Sequence, residues 1–303
     1  MAGAGAWLLR QHPGGPPGEG GVSEPLVWKD RVALVTGAAG AIGSRICLEL
    51  DAAGLRLVLV DLNAEALGAL AAKLSRPALC IAGDLCDRAL LQSLPERLRS
   101  ECGGCDLLVN NVGIVSTTPF EQAELAQIER ELNINLLVPT LLTRLLLPLL
   151  SASRQGRVIT IASMAAIMPL AESAVYSASK FALRGLMLSL ALRKPRTGVH
   201  FALVNPSSVD TPMLRYEAVN GGSPLNFLGE PIAPERVAAT VRALLQGEDV
   251  ERCVPASEGW SAKLALLLPN LLPRLVPWFN RSGERGRERY IAAQKLQRPA
   301  RPA

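Results

Sequence analysis

The chain has 303 residues, of which 49% are hydrophobic, 19% charged and 4% aromatic, a mixture too apolar for disorder and long enough to bury a sizeable core. Its formal charge of +5 is carried by residues 281–303, which hold seven Lys or Arg against two Glu; the neutral remainder argues against a nucleic-acid-binding body and leaves a basic tail. Two His and six scattered Cys predict neither a metal site nor a disulfide framework, and favour a reducing, cytoplasmic setting.

Residues 1–29 are rich in Gly and Pro, and the apolar patch at Trp7-Leu8-Leu9 is too short for a signal sequence or a membrane span. This arm is expected to be disordered. From Arg31 onward, apolar runs at 31–36, 56–61, 78–82, 106–110, 157–162 and 199–205 alternate with stretches of helical length. A last short strand is expected near 252–254. Buried strands joined by helical crossovers predict an α/β fold over 30–258, with a mostly parallel, doubly wound sheet in one domain.

The first strand runs into Thr36-Gly37-Ala38-Ala39-Gly40-Ala41-Ile42-Gly43 and then a helix. Glycine chemistry there places backbone N–H groups and a helix N-terminus where a dinucleotide pyrophosphate binds. The second strand ends at Asp61, 24 residues after Gly37, where a carboxylate accepts the adenosine ribose hydroxyls and repels a 2′-phosphate. Neither Gly40 nor Leu62 supplies a basic side chain for that phosphate, so NAD is expected over NADP. After the third strand, Asp84 and Leu85 stand beside the adenine or cap the following segment.

The run 136–150 is Leu-rich and reads as a core helix interrupted at Pro139 and Pro148. Ser163 closes the fifth strand, and thirteen residues later Tyr176-Ser177-Ala178-Ser179-Lys180 opens a helix. Spacing of i,i+4 sets phenol and ammonium on one face, where the cation favours the phenolate and lowers the tyrosine pKa.

At these residues the sequence resembles the short-chain dehydrogenase/reductase family over roughly residues 30–258. The glycine motif matches Gly37, Ala41 and Gly43; the strand-four motif matches Asn110-Asn111-Val112-Gly113; the Asn-Ser-Tyr-Lys tetrad falls on Asn135, Ser163, Tyr176 and Lys180; and Asn205-Pro206-Ser207-Ser208-Val209-Asp210-Thr211 matches the nicotinamide-side loop. The sequence departs from the family at Ala41, where a second Gly is usual, at Val112 in place of Ala, and at Ser207 in place of Gly. The resemblance implies a Rossmann fold and hydride exchange between a carbinol carbon and NAD, with Tyr176 passing the proton and Ser163 orienting the substrate oxygen. Lys180 is implied to hold the nicotinamide ribose, Asn135 to support a relay water, and Gly37, Ala41, Ile42, Gly43, Asp61, Asp84, Leu85, Asn111, Pro206 and Thr211 to line the cofactor. It also implies a homodimer or homotetramer through the Leu-rich helix and the helix after Tyr176.

Ile114, Ser163, Met164, Met168, Leu214 and Phe227 are the candidate substrate-pocket residues, and they point to an apolar, bulky secondary alcohol or ketone of steroid, retinoid or acyl-lipid type. A sugar or polyol dehydrogenase, and a non-catalytic dinucleotide-binding membrane-associated protein, are the alternatives. Residues 207–233 lack periodicity and read as a mobile substrate flap. The C-terminal extension 259–303 is apolar and then basic, and its segment 260–289 reads as a peripheral membrane contact or as a cover for the pocket. Its prolines at 269, 273 and 277 argue against a continuous helix. Cys102 and Cys105 have half-site spacing without partners, and Cys47, Cys80, Cys86 and Cys253 read as small buried residues.

Overall fold

The computed structural model describes residues 26–297; most of the Gly/Pro-rich arm and the last six residues lie outside the described residues. The elements run β1 (Val32–Thr36), α1 (Ala41–Ala52), β2 (Arg56–Asp61), α2 (Ala64–Ala71), β3 (Leu79–Ala82), α3 (Arg88–Cys102), β4 (Leu107–Asn110), α4 (Leu125–Leu132) and α5 (Val138–Ala152). They continue with β5 (Arg157–Ile161), α6 (Ala174–Ala191), α7 (Lys194–Thr197), β6 (His200–Pro206), α8 (Pro212–Asn220), α9 (Pro234–Leu244), β7 (Glu251–Val254), α10 (Ala256–Leu266) and α11 (Leu272–Ala293).

Seven parallel strands form one sheet in the order β3-β2-β1-β4-β5-β6-β7. Side chains alternate across it, as the period of a strand requires. Ala33, Val35, Leu57, Leu59 and Val109 pack with Ile46 and Leu50 of α1 and with Val237 and Val241 of α9. Leu34, Val58 and Leu108 face the other way, onto Leu94 and Leu98 of α3, Leu142 and Leu146 of α5, and Leu183 and Met187 of α6. Both faces are thus covered, which is why the strands read as unbroken apolar runs. The order reverses between β1 and β4, the place where open α/β sheets bind ligands at the carboxyl ends of their strands.

Several expectations are corrected. Helix α5 runs through both prolines: Pro139 follows directly on the π-helical turn Asn133–Leu137, and Pro148 lies inside the helix at the cost of one backbone bond. The run Leu125–Ala152 is long and apolar enough to cross a membrane by length and composition, yet it buries Leu142, Leu146 and Leu150 against the sheet. Trp28, inside the expected disordered arm, is 4% exposed and donates from Nε1 to the Leu245 carbonyl at 3.0 Å. Cys80 is exposed and Cys86 and Cys253 are half-buried, while Cys47 is buried.

The segment 207–233 is not a featureless flap. It contains α8 and a 3-10 turn at Pro224–Phe227, and its inward positions are Leu214, Glu217 and Ala218, where the acid interrupts the apolar stripe that would have signalled a helix. The C-terminal segment is broken at Pro269, where a 3-10 turn separates α10 from α11, but the two later prolines do not prevent a helix. Pro273 sits in the first turn of α11, and Pro277 lies inside it at the cost of one backbone bond. Tyr290 and Ile291 of α11 pack on Leu214, Ala218 and Phe227.

Candidate active site

The turn after β1 is built for an anion. Gly37 adopts φ +61°, a left-handed conformation that glycine takes without strain. A β-carbon at Gly43 would fall 2.0 Å from the Gly37 carbonyl oxygen, so α1 begins hard against the turn. That helix has no side-chain cap and no acid in its first turn, and its leading N–H groups, at Ala41, Ile42 and Gly43, have no intrahelical acceptor. Unfilled donors at a positive helix end fit the pyrophosphate of a dinucleotide.

The carboxyl ends of β2 and β4 frame this turn. Asp61 Oδ2 accepts from the Ala39 N–H at 3.0 Å and Oδ1 from the Asn63 N–H at 3.1 Å, which fixes the carboxylate against the glycine turn. Leu62 beside it is exposed. Asn111 donates from Nδ2 to the carbonyls of Thr36 and Gly37 at 3.1 and 3.0 Å, so its amide braces the turn. Asp84 accepts from the Cys86 N–H at 2.9 Å and shapes a turn at the end of β3, while Leu85 is buried in the core.

The four tetrad candidates come from three places in the fold: the end of β5, helix α6 and the turn between α4 and α5. Ser163, after β5, accepts from the Ala165 N–H at 3.0 Å and lies within hydrogen-bonding reach of the Tyr176 phenol. Lys180, one helical turn beyond Tyr176 on α6, is buried, with Nζ 5.4 Å from the tyrosine ring centroid and donating to the Ile161 carbonyl at 3.4 Å. Asn135 sits on a π-helical turn between α4 and α5, an irregularity frequent at functional sites. Its Oδ1 accepts from the Ile114 N–H at 2.9 Å and its Nδ2 donates to the Ile114 carbonyl at 2.8 Å. A β-carbon at Gly113 would lie 3.4 Å from both Asn135 Oδ1 and Lys180 Nζ, so the two polar atoms flank that glycine.

The electrostatics differ from the simple phenol–ammonium expectation. Burial pushes the Tyr176 phenol well above its ordinary value, against the lowering effect of the Ser163 bond, and Glu217 and Glu131 push it higher still. Desolvation brings Lys180 down to about 8, with Glu131 opposing. Glu131, buried on α4, accepts from the Ser116 N–H at 3.3 Å, and burial raises its carboxyl against that bond and Lys180.

A cleft of about 530 Å³ opens over this group. Its wall includes Ile42, Ser163, Met164, Met168, Tyr176, Pro206, Thr211 and Leu214, all expected from sequence, together with Glu217, Leu225, Leu228, Glu258 and Phe279. Thr211 caps α8 by accepting from the Leu214 N–H at 3.3 Å. Ile114 is held by Asn135 beside the tetrad and is not part of this wall. Phe227 is turned away into the α11 contact, its ring 5.5 Å from that of Tyr290. Among the wall residues that sequence reasoning missed, Glu217 comes from α8, Leu225 and Leu228 from the 3-10 turn and the residue after it, and Glu258 and Phe279 from α10 and α11, whose only signal was the apolar run itself. Among the described residues no cluster of metal-ligand type occurs, and Cys105 is buried with its thiol pushed up to about 12 by desolvation.

Comparison with known proteins agrees with this geometry. A family model for short chain dehydrogenase matches residues 31–220. D-threitol dehydrogenase of Mycolicibacterium smegmatis is 32% identical over 235 residues, covering 73% of this chain and 90% of its own length. Estradiol 17-beta-dehydrogenase 11 of Mus musculus is 29% identical over 255 residues, covering 81% and 80%. The crystal structure of a metagenomic short-chain oxidoreductase in complex with NADP aligns with a TM-score of 0.64 at 30% identity, over 75% of this chain and 98% of that one.

Proposed function

Because the chain belongs to the short-chain dehydrogenase family, oxidoreductases of CH–OH groups, we propose that it exchanges hydride between an apolar secondary alcohol or ketone and NAD(H), with Asn135, Ser163, Tyr176 and Lys180 as its tetrad. The observation that carries this reading is that Ser163 and Tyr176 share one cleft, with Lys180 behind the tyrosine at 5.4 Å from its ring centroid, and that the cleft wall reaches Ile42 at the uncapped start of α1.

The glycine turn and Asp61 would hold the dinucleotide, which when bound would supply the hydride acceptor or donor. In the oxidation direction Tyr176 takes the carbinol proton while the Ser163 hydroxyl orients the oxygen. A phenol so strongly disfavoured as phenolate by burial needs a neighbouring cation, and Lys180 is that cation. Asn135 clamps Ile114 by two hydrogen bonds and thereby keeps the loop after β4 against Lys180.

Preference for NAD is supported by the Asp61 carboxylate, whose charge opposes a 2′-phosphate while exposed Leu62 supplies no compensating cation. An apolar substrate is supported by Met164, Met168, Leu214, Leu225, Leu228 and Phe279 in the cleft wall. The polyol reading takes its support from the relationship to D-threitol dehydrogenase and from the polar part of the wall, which includes Ser208, Glu217, Asn226 and Glu258. Turnover of cyclohexanol against threitol with NAD, followed by nicotinamide absorbance, separates the two.

We infer further that an anionic lipid surface covers the cleft mouth. Trp260, Leu264, Leu267 and Leu268, then Leu271, Leu275 and Trp278, are all exposed and adjoin Ala262, Ala265 and Phe279 of the cleft wall. Arg274, Arg281, Arg285 and Arg289 are exposed along the same stretch, a pairing of indole, aliphatic and basic side chains suited to a headgroup boundary. Arg287 is excluded from that role: it is buried, donates to the Gly222 carbonyl and pairs with Glu284 at 3.2 Å.

A further inference from the structure

A carboxyl group occupies a position where an apolar wall would serve a wholly apolar substrate better. Glu217 on α8 lines the same cleft as Ser163 and Tyr176, yet its residue is only 7% exposed. Oε1 accepts from Asn226 Nδ2 at 3.1 Å, and among the described residues no protein donor bonds Oε2. The seat is sterically specified, because a β-carbon on Gly222 would fall 2.4 Å from the Glu217 Cβ. Arg287 of α11 is the cation that acts on this carboxyl, but its two terminal nitrogens are committed to the Gly222 carbonyl and Glu284.

Burial brings Glu217 up to about 7, against the Asn226 bond and Arg287, with Glu131 of α4 adding to the rise. Its charge is felt by the Tyr176 phenol on α6, which places the carboxyl within electrostatic range of the reacting oxygen. A group that is partly acid and partly carboxylate near neutrality asks for a partner able to donate and accept. A hydroxyl does both, whereas an ammonium only donates and would meet Arg287 with like charge.

We propose that Glu217 is a specificity residue that binds a second hydroxyl on the substrate, so that the preferred substrate is an apolar alcohol with a hydroxyl elsewhere on its carbon frame. The proposal rests on the dehydrogenase reading and narrows it. A substrate lacking that hydroxyl strips water from the carboxyl and returns nothing, a loss expressed in kcat/KM.

The test is kcat/KM of the full chain with NAD for cyclohexanol, for the three positional isomers of cyclohexanediol and for aminocyclohexanol, in the wild type, Glu217→Gln and Glu217→Leu. The wild type is expected to favour at least one diol over cyclohexanol by about 10-fold to 100-fold. Glu217→Gln, which keeps an acceptor for Asn226, should retain part of that ratio, and Glu217→Leu should bring it near one. NADH titration by fluorescence verifies that each variant is folded. Turnover of cyclohexanol with no diol preference, a ratio unchanged in Glu217→Leu, or a preference for the amine overturns the proposal and leaves the dehydrogenase reading standing. No turnover of any of these alcohols overturns that reading, and the proposal with it.

Discussion

Tyr290 donates its hydroxyl to Asp210 Oδ1 at 2.6 Å, and this bond fastens the C-terminal helix α11 to the loop that follows β6. Asp210 also receives Gln294 Nε2 at 3.3 Å and the Arg215 guanidinium at 3.1 Å. Because α11 carries Phe279 into the cleft wall, the anchor supports the substrate site from outside it. Tyr290→Phe is expected to lower unfolding free energy by about 1.5–3 kcal/mol, the range for hydrogen bonds to charged groups, as measured by denaturant titration. It should also raise KM for bulky alcohols more than it lowers kcat. An unchanged midpoint with unchanged KM would show that α11 is held by other contacts alone.

Cofactor choice is predicted to turn on Asp61. Wild-type kcat/KM should favour NAD over NADP by about 10-fold to 100-fold, from one close like-charge contact in a partly screened site. Asp61→Ala should narrow the ratio by raising the NADP value, although it also removes the acceptor for the Ala39 N–H and so weakens both cofactors. Equal wild-type values for the two cofactors would contradict the assignment of this carboxylate.

Glu217 makes stability depend on pH with a defined sign. Its carboxyl titrates near 7 when folded and near about 4.3 when unfolded, so between those values the folded state binds more protons. Stability contributed by the neutral form is therefore present at low pH and declines as pH rises through this window, by about 4 kcal/mol in total. Glu217→Gln removes the titration. Calorimetry at about pH 5 and pH 8 should find the variant gaining on the wild type at the higher pH, whereas a difference independent of pH would mean that the group does not titrate there.

The lipid-facing reading predicts co-sedimentation with anionic vesicles that weakens as salt is raised. Trp260→Ser with Trp278→Ser should reduce the bound fraction without altering NADH binding, since both indoles are exposed. No bound protein at low salt would leave the apolar rim as a cover for the cleft alone.

What the sequence disclosed follows the range of the interactions involved. Tyr176 and Lys180 were legible because one helical turn joins them, and Gly37 with Gly43 because a strand-to-helix turn is a local event. The parallel, doubly wound sheet also followed, since fully apolar strands alternating with helices ask for cover on both faces. Glu131 and Glu217 were not legible: nothing local distinguishes a buried acid from a solvated one, and both are enclosed by elements distant in the chain. The C-terminal helix was obscured by its prolines, which deterred a helical reading although Pro273 sits where a helix tolerates it. Its docking was equally hidden, because Gly286 lies where a β-carbon would fall 1.9 Å from the Phe227 carbonyl oxygen, a contact between segments almost sixty residues apart.

The central claim is that Tyr176 transfers the proton while a secondary alcohol passes hydride to NAD in this cleft. The measurement that tests it most directly is single-turnover reaction of a carbinol-deuterated secondary alcohol with NAD, comparing the wild type with Tyr176→Phe. The wild type should deliver the deuterium to the nicotinamide ring. Tyr176→Phe should bind NADH with nearly unchanged affinity and react about 100-fold to 10,000-fold more slowly, the worth of a positioned proton-transfer group. A phenylalanine variant that turns over at the wild-type rate, or a wild type that releases the deuterium to water, would contradict the account.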